Sequence, residues 1–235
     1  MPTSIYEINR KYQLNDAYFQ TIDTEEKAYW LGFIWADGSI EQTSSRCSGK
    51  NRFVLTQKIN NLNHLKKFQK AIQNNNPITT KQPMPNKTIA ILTINSRPFC
   101  KRLEELGFDT KDKRIVPTIP KHLINHFIRG FFDGDGCLSI YDQKIKKWTV
   151  HRQEWSITGP KQLIQQIQKL INDNINISTN VQLKYYKRTA NAVSLRYGKK
   201  LDIDTLYKFM YHNATIYLGD KHQKFIDFYS RHQSI

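Results

Sequence analysis

The chain is expected to fold in the α+β class, as two pseudo-symmetric halves that each run α-β-β-α-β-β-α. Three observations predict this. A short segment ending in Asp-Gly occurs twice, the same succession of strand-like and helix-like stretches follows each copy, and a turn-rich break separates them. The copies are Tyr29–Ile40 (YWLGFIWADGSI) and Phe127–Leu138 (FIRGFFDGDGCL). With Gly32 superposed on Gly130, Asp37 falls on Asp135, Gly38 on Gly136 and Ile40 on Leu138, a constant offset of 98 residues. Such repetition is weighed first because it decides the architecture.

After the first copy, Ser39–Arg46 and Arg52–Ile59 are strand-like and are joined by Cys47–Asn51. Leu62, Leu65, Phe68 and Ile72 then recur at helical spacing on one face. Extended stretches near Ile78–Met84 and Lys87–Asn95 are split by Pro85-Asn86, and a helix opens at Pro98 with Leu103 and Leu106 inward. The second copy is followed by strands near Cys137–Asp142 and Trp148–Thr158. A helix opened by Pro160 comes next, carrying Leu163, Ile164, Ile167, Leu170 and Ile171. Proline suits a helix start, where its missing N–H is not needed. Strands near Val181–Lys187 and Ala192–Tyr197 and a helix near Leu201–Tyr211 complete the repeat, and Thr215–Ile235 forms a helical tail. The break is Gly107–Pro120 (GFDTKDKRIVPTIP). The expected organisation is residues 1–107 as the first repeat with its N-terminal extension, 108–120 as linker, and 121–235 as the second repeat with its tail.

Composition narrows the partner. The chain has 36 Lys+Arg against 20 Asp+Glu, a formal net charge of +16, and 39% hydrophobic residues. That is enough apolar content for a core, and more surplus charge than solubility needs. A polyanion, nucleic acid above all, is the expected partner, since each neutralised phosphate releases condensed counterions. Cys47, Cys100 and Cys137 stand far apart with no C-x-x-C, which argues against a zinc ribbon or a disulfide framework. The start (MPTSIYEINRKYQ) has no apolar signal core and no run approaches a membrane span. An intracellular protein without a membrane partner is expected; organellar (chloroplast or mitochondrial), phage and bacterial origins are not distinguished.

The repeated segment carries the chemistry. Gly32 with Ala36, and Gly130 with Gly134, put small residues at i and i+4 on one helix face, where another backbone can approach closely. Glycine inside a helix costs about 1 kcal/mol relative to alanine, so a packing reason is expected. The simplest is that the two helices pack on each other about a pseudo-twofold axis. Gly38 and Gly136 stand where a C′ glycine would end each helix. Asp37 and Asp135 then fall at helix C-termini, where the macrodipole disfavours a carboxylate, and they face each other across the axis. Two penalties at one point call for a cation, and Mg2+ suits oxygen ligands. A lone Asp-Gly is ordinary turn chemistry; two in matched contexts on so basic a chain are not.

Trp30–Gly38 (WLGFIWADG) and Ile128–Gly136 (IRGFFDGDG) resemble the two motifs of LAGLIDADG homing endonucleases of the single-chain, double-motif type. The likeness extends over roughly residues 26–225. It implies saddle-shaped four-stranded antiparallel sheets that straddle double-stranded DNA at a long target site. It further implies metal-dependent hydrolysis of both strands, leaving short 3′ overhangs, by a monomer. Asp37 and Asp135 would bind the catalytic metal with help from the carbonyls of Ala36 and Gly134. The metal would be Mg2+, two or three ions, with Mn2+ or Ca2+ able to substitute for binding. By position Gln57 resembles a glutamine that orders water there, its counterpart falling near Thr158, and Arg196 resembles a basic residue of the last strand, with Thr93 its match. Two departures stand out. Trp30 and Trp35 are bulkier than usual, Trp35 being expected to pack into the core of its own half. Asp133 is an extra acid in the second copy only, expected to be solvated or to support a cap.

Alternation marks the DNA face. Val181, Leu183 and Tyr185 oppose Gln182, Lys184 and Tyr186, and Val193, Leu195 and Tyr197 oppose Ala192, Ser194 and Arg196. A Gln/Lys/Arg/Ser face suits groove readout. Candidate contacts in the second repeat are Lys144, Lys146, Lys147, Arg152, Gln153, Gln182, Lys184, Tyr186, Ser194 and Arg196. Those in the first are Arg46, Lys50, Arg52, Gln57, Lys58, Lys81, Gln82 and Lys87. In the tail, Lys221 and Lys224 resemble lysines that touch the DNA backbone. His122 and His126 are spaced like zinc ligands but lack the acid of H-E-x-x-H and are expected to be structural. Two readings compete with an endonuclease: an intron RNA maturase on the same fold, and a non-cleaving DNA-binding regulator. Retention of both acids favours cutting, and no added helix-turn-helix supports the regulator.

Overall fold

The computed structural model describes residues 11–43, 51–109, 113–185 and 191–233. The first repeat runs α1 (Glu25–Asp37), β1 (Gly38–Glu41), β2 (Arg52–Lys58), α2 (Leu62–Ala71), β3 (Thr79–Met84), β4 (Lys87–Asn95) and α3 (Arg97–Glu105). The second runs α4 (Ile124–Asp135), β5 (Gly136–Ile145), β6 (Trp148–Pro160), α5 (Lys161–Asn174), β7 (Lys184–Tyr185), β8 (Ala192–Tyr197) and α6 (Lys200–Tyr211). A further helix, α7 (Gly219–Gln233), forms the tail. Both repeats are αββαββα, so the fold class is α+β. Each sheet is four-stranded and antiparallel, with matching orders β1-β2-β4-β3 and β5-β6-β8-β7. The register repeats as well: Gly38 pairs with Leu55 and Leu55 with Leu92, as Gly136 pairs with Ile157 and Ile157 with Leu195.

Two compact units divide the chain. One comprises the residues up to Thr21 together with Gly38–Leu103; the other comprises Ile22–Asp37 and the residues from Glu104 onward. Both motif helices therefore lie in the second unit.

In the first unit, β2 and β4 turn Phe53, Leu55, Leu92 and Ile94 inward onto Leu65 and Phe68 of α2 and Phe99 and Leu103 of α3, all of them buried. Phe53 meets Phe68 and Phe99 edge-on, with ring centroids 6.3 and 5.6 Å apart. Each such buried side chain contributes about 1.5–3 kcal/mol. Arg102 ties α3 to the preceding segment, its Nε donating to the Phe19 carbonyl at 2.9 Å.

In the second unit, Trp155, Ile157, Val193, Leu195 and Tyr197 form the inner sheet face against α5, α6 and α7. Phe132 of α4 stacks on Trp155 at 5.2 Å between centroids. α1 starts at Thr24, whose hydroxyl accepts the Lys27 amide at 3.2 Å, with Glu25 and Glu26 complementing the helix N-terminus. From Ala28 to Ala36 every residue of α1 is buried, as expected of a helix apolar on all sides.

Neither motif helix ends in a left-handed glycine. Gly136 has φ −84° and ψ 165° and is already the first residue of β5, as Gly38 is of β1. What demands glycine at 136 is space: a Cβ there would collide with the Phe132 ring and carbonyl oxygen. The helix passes directly into the strand.

Candidate active site and nucleic-acid interface

The motif helices touch backbone to backbone. A Cβ on Gly32 would overlap the Phe127 carbonyl oxygen and lie 2.9 Å from the Phe131 nitrogen. One on Gly130 would overlap the Tyr29 carbonyl oxygen and lie 2.8 Å from the Phe33 nitrogen. Phe127 and Phe131 stand 98 residues after Tyr29 and Phe33, so the contact has local twofold symmetry. One turn further on, a Cβ on Gly134 would collide with the Ala36 Cβ and stand 3.1 Å from Oδ2 of Asp37. Small residues at these positions bring the half-buried Asp37 onto the end of α4, beside the half-buried Asp135.

The segment between the repeats supplies a cation that sequence reasoning did not single out. Arg114 is buried, with 2% of its surface exposed. Its Nη1 donates to the Trp35 carbonyl at 2.6 Å, its Nε to the Asp109 carbonyl at 3.4 Å, and its Cζ lies 4.0 Å from the Phe108 ring centroid. Trp35 returns the contact, its indole Nε1 donating to the Ile115 carbonyl at 2.8 Å. Trp35 therefore packs against the linker, on Phe108 and Phe127, rather than into a core of the first repeat alone. Burial pulls the guanidinium down to about 10 while Asp135 and Asp37 pull the other way, leaving it charged at neutral pH. At the end of α4, Lys221 of the tail donates its ammonium to the Gly136 carbonyl and lies 5.8 Å over the Phe132 ring.

Asp133 is not solvated. It is 1% exposed and accepts hydrogen bonds from the Tyr29 hydroxyl (2.8 Å), the Tyr211 hydroxyl (2.6 Å) and the Leu218 amide (2.6 Å). Burial raises its carboxyl to about 6, against those three donors and Arg129. Arg129, fully buried one turn earlier, donates to Glu25 (2.7 Å) and to the carbonyls of Met210 (2.6 Å) and Ile216 (2.9 Å). His126 meets Arg129 at 2.8 Å, and burial and Arg129 hold it below the ordinary imidazole range, which fits a structural role. His122 is exposed. Asp133 and Arg129 thus serve to tie the tail to the helix pair.

Among the described residues no three His, Cys, Asp or Glu side chains cluster as metal ligands. An ion beside Asp37 and Asp135 would need carbonyl, water or phosphate oxygens to complete its shell, which is the chemistry of Mg2+ or Ca2+ and not of zinc. The Ala36 and Gly134 carbonyls qualify, because an α-helix supplies no N–H of its own to its last turn. The donor set fits a hard divalent cation.

Strand registers assign the other candidates to faces. In the second sheet the face opposite the core carries Ser139, Tyr141, Gln143, Arg152, Glu154, Ser156, Lys184 and Arg196. Arg196 is half-buried there and pairs with Glu154 at 2.9 Å. Ser194 shares that face but is fully buried, its hydroxyl 2.5 Å from that of Thr158, which removes it from groove contact. Gln153 pairs with Ile140 on the core side and donates to the Gly198 carbonyl at 3.0 Å. Gln57 likewise shares the core side with Phe53 and Leu55, is 7% exposed, and accepts from Asn61 at 3.0 Å. Arg52, Thr93 and Lys58 take the opposite face, Arg52 paired with Glu41 at 3.4 Å. Lys58, Lys81, Gln82, Lys87, Lys144, Lys146, Lys147, Arg152, Gln182, Lys184 and Lys224 are all exposed. Arg46, Lys50 and Tyr186 lie outside the described residues.

β5 and β6 pair all the way to Ile145–Trp148, but β8 covers β6 only from Trp155 onward. The outer part is a two-stranded ribbon whose tip exposes Trp148 (65%) beside Lys146 and Lys147. This aromatic tip was not anticipated; alternation says nothing about how far a hairpin projects.

The family model described as a LAGLIDADG-like domain matches residues 123–209. That match runs through the second repeat, from its motif helix into α6. Solved LAGLIDADG enzymes extend the likeness to the whole fold. The meganuclease I-AabMI, bound to uncleaved DNA, superposes with a TM-score of 0.59 at 13% identity, over 86% of this chain and 89% of that one. The homing endonuclease I-LtrWI, bound to target DNA, gives 0.57 at 16% identity over 87% and 89%. I-SmaMI, bound to an uncleaved DNA target in the presence of calcium, gives 0.56 at 15% over 86% and 89%. The chain has the LAGLIDADG homing endonuclease fold, with both motif helices in one polypeptide. A 121-residue stretch, 51% of this chain, is also 31% identical to part of the reverse gyrase of Methanocaldococcus jannaschii, of which it spans 6%.

Proposed function

We propose that this LAGLIDADG protein is a site-specific double-strand DNA endonuclease of the homing type, hydrolysing phosphodiesters with a divalent metal and leaving 3′ overhangs. The observation that carries the reading is the delivery of Asp37 and Asp135 to adjacent ends of a glycine-packed helix pair. A fold needs no such arrangement for stability, since the dipole and mutual repulsion both oppose it.

Asp37 and Asp135, with the carbonyls of Ala36 and Gly134, would hold the metal, with Mg2+ the natural choice. Bound there, the ion supplies Lewis acidity at the scissile phosphate and lowers the pKa of an attacking water. The chain's own part is to fix two carboxylates in place on a rigid helix pair, so that little reorganisation accompanies reaction. The exposed lysines of the sheets and Arg152 attract and orient the duplex, phosphate contacts setting its register. A monomer suffices, because one chain brings both acids. Gln57, held on the core side of its sheet, and Arg196, paired with Glu154, are assigned supporting roles at most.

The test is cleavage of a randomised plasmid library by purified protein with and without Mg2+, with the ends mapped. Discrete double-strand breaks with 3′ overhangs, lost in Asp37→Asn and in Asp135→Asn while DNA binding persists, are expected. Failure to cut any library, combined with tight salt-sensitive binding to structured intron RNA, would instead make the protein a maturase.

A further inference from the structure

Arg114 belongs to the linker, yet it is buried at the point where both acid-bearing helices end. Its guanidinium is bonded to the carbonyl two residues before Asp37, and the Asp37 carboxylate lies 3.1 Å from where a Cβ on Gly134 would be. The lysines of the sheets are exposed; Arg114 is held by two carbonyls and an aromatic ring. A cation so held beside two carboxylates offsets their repulsion whether or not a metal is present, and it also opposes the arrival of a doubly charged ion.

We propose that Arg114 is the resident counter-ion of the acid pair, a positioning residue that keeps Asp37 and Asp135 together without metal and weakens divalent-cation binding until a DNA phosphate adds its negative charge. The inference rests on the reading of Asp37 and Asp135 as metal ligands and assigns a regulator to that site. Arginine suits the role better than lysine, because its planar fork can bond a carbonyl and still present charge to a neighbour. The linker thereby sets when the site loads, rather than only joining two repeats.

Melting of the full-length protein without DNA, in EDTA and in saturating Ca2+, tests this, together with calorimetric Ca2+ titration. Arg114→Met should melt several degrees lower than wild type in EDTA, recover most of that loss in Ca2+, and bind Ca2+ roughly tenfold more tightly. Arg114→Lys should restore most of the EDTA stability. In EDTA the double variant Arg114→Met with Asp37→Asn should be less destabilised than the two single changes predict together, because removing one acid removes the need for the counter-ion. A deficit in Arg114→Met that Ca2+ leaves untouched, with additive loss in the double variant, would reduce Arg114 to a packing residue and overturn the proposal. Should Arg114→Met fail to fold, Arg114→Lys and the double variant carry the same comparison. The coupling measured in EDTA involves neither cleavage nor metal. Absence of Ca2+ binding even with DNA would therefore refute the endonuclease reading, while lost coupling would refute this one alone.

Discussion

Tyr29 of the first repeat donates a hydrogen bond to Asp133 of the second at 2.8 Å, so a carboxylate found in only one copy is satisfied by a tyrosine of the other. Burial holds that carboxyl at about 6, up from 3.8. A carboxyl whose folded value is raised stabilises the fold fully below its unfolded value and loses that contribution as pH climbs through the folded one. The stability of wild type minus that of Asp133→Asn should therefore fall by on the order of 3 kcal/mol between pH 4 and 7. Urea denaturation across that range measures it. A difference that rises with pH would mean that the three donors and Arg129 outweigh burial.

Alanine at Gly130 sets two effects against each other. Helix propensity favours alanine by about 1 kcal/mol. Overlap with the Tyr29 carbonyl forces the helices apart, which typically costs about 1–3 kcal/mol. Both Gly32→Ala and Gly130→Ala are expected to destabilise in thermal melts, and to impair the acid pair beyond the stability loss. A stabilising effect would show that the helices are not in backbone contact.

Arg129 is fully buried and bonded to Glu25 at 2.7 Å. Removing one partner of such a pair strands the other charge, so Arg129→Met should cost about 3–5 kcal/mol. Adding Glu25→Gln should return part of this, since the carboxylate left without its guanidinium, though still bonded to the Thr215 amide, is then neutral. Chemical denaturation of the four proteins in the cycle reads the coupling directly; strict additivity would contradict it.

At the ribbon tip, Lys144, Lys146 and Lys147 are exposed and pack against no core. Changing all three to serine should leave melting unchanged. If they meet phosphates, the slope of log affinity against log salt should become shallower by about 0.9 for each phosphate no longer neutralised. An unchanged slope would place the ribbon off the nucleic acid. Trp148→Ala should weaken binding with little effect on that slope, because an uncharged side chain neutralises no phosphate and releases no counterions.

The architecture was legible because two signals agreed: the repeated Gly-to-Asp spacing, and alternation that switched to helical periodicity at the same points in each copy. The helix pairing was legible for a related reason, in that Gly32 and Gly130 had no other excuse for sitting inside helices. Gln57 shows the opposite case. Its place in sequence with Phe53 and Leu55 already marked the inner face, against both the family resemblance and its grouping with the polar candidates for DNA contact. Asp133, Arg129 and Arg114 were illegible because their partners are remote in sequence. Tyr29 lies 104 residues from Asp133, and Trp35 lies 79 residues from Arg114. Nothing local distinguishes a linker arginine flanked by lysine and isoleucine from a solvated charge.

The division of the chain at Thr21, Asp37 and Leu103 bears on how such proteins could be recombined. A chimera joined at the linker would part Asp37 from Arg114 and Tyr29 from Asp133, pairing each with an unrelated stranger. Joints at the unit borders would instead exchange Gly38–Leu103 and its preceding segment as a cassette. The acids, the arginine and the tail would stay with the chain that evolved them, and only the first sheet with the helices packed on it would change.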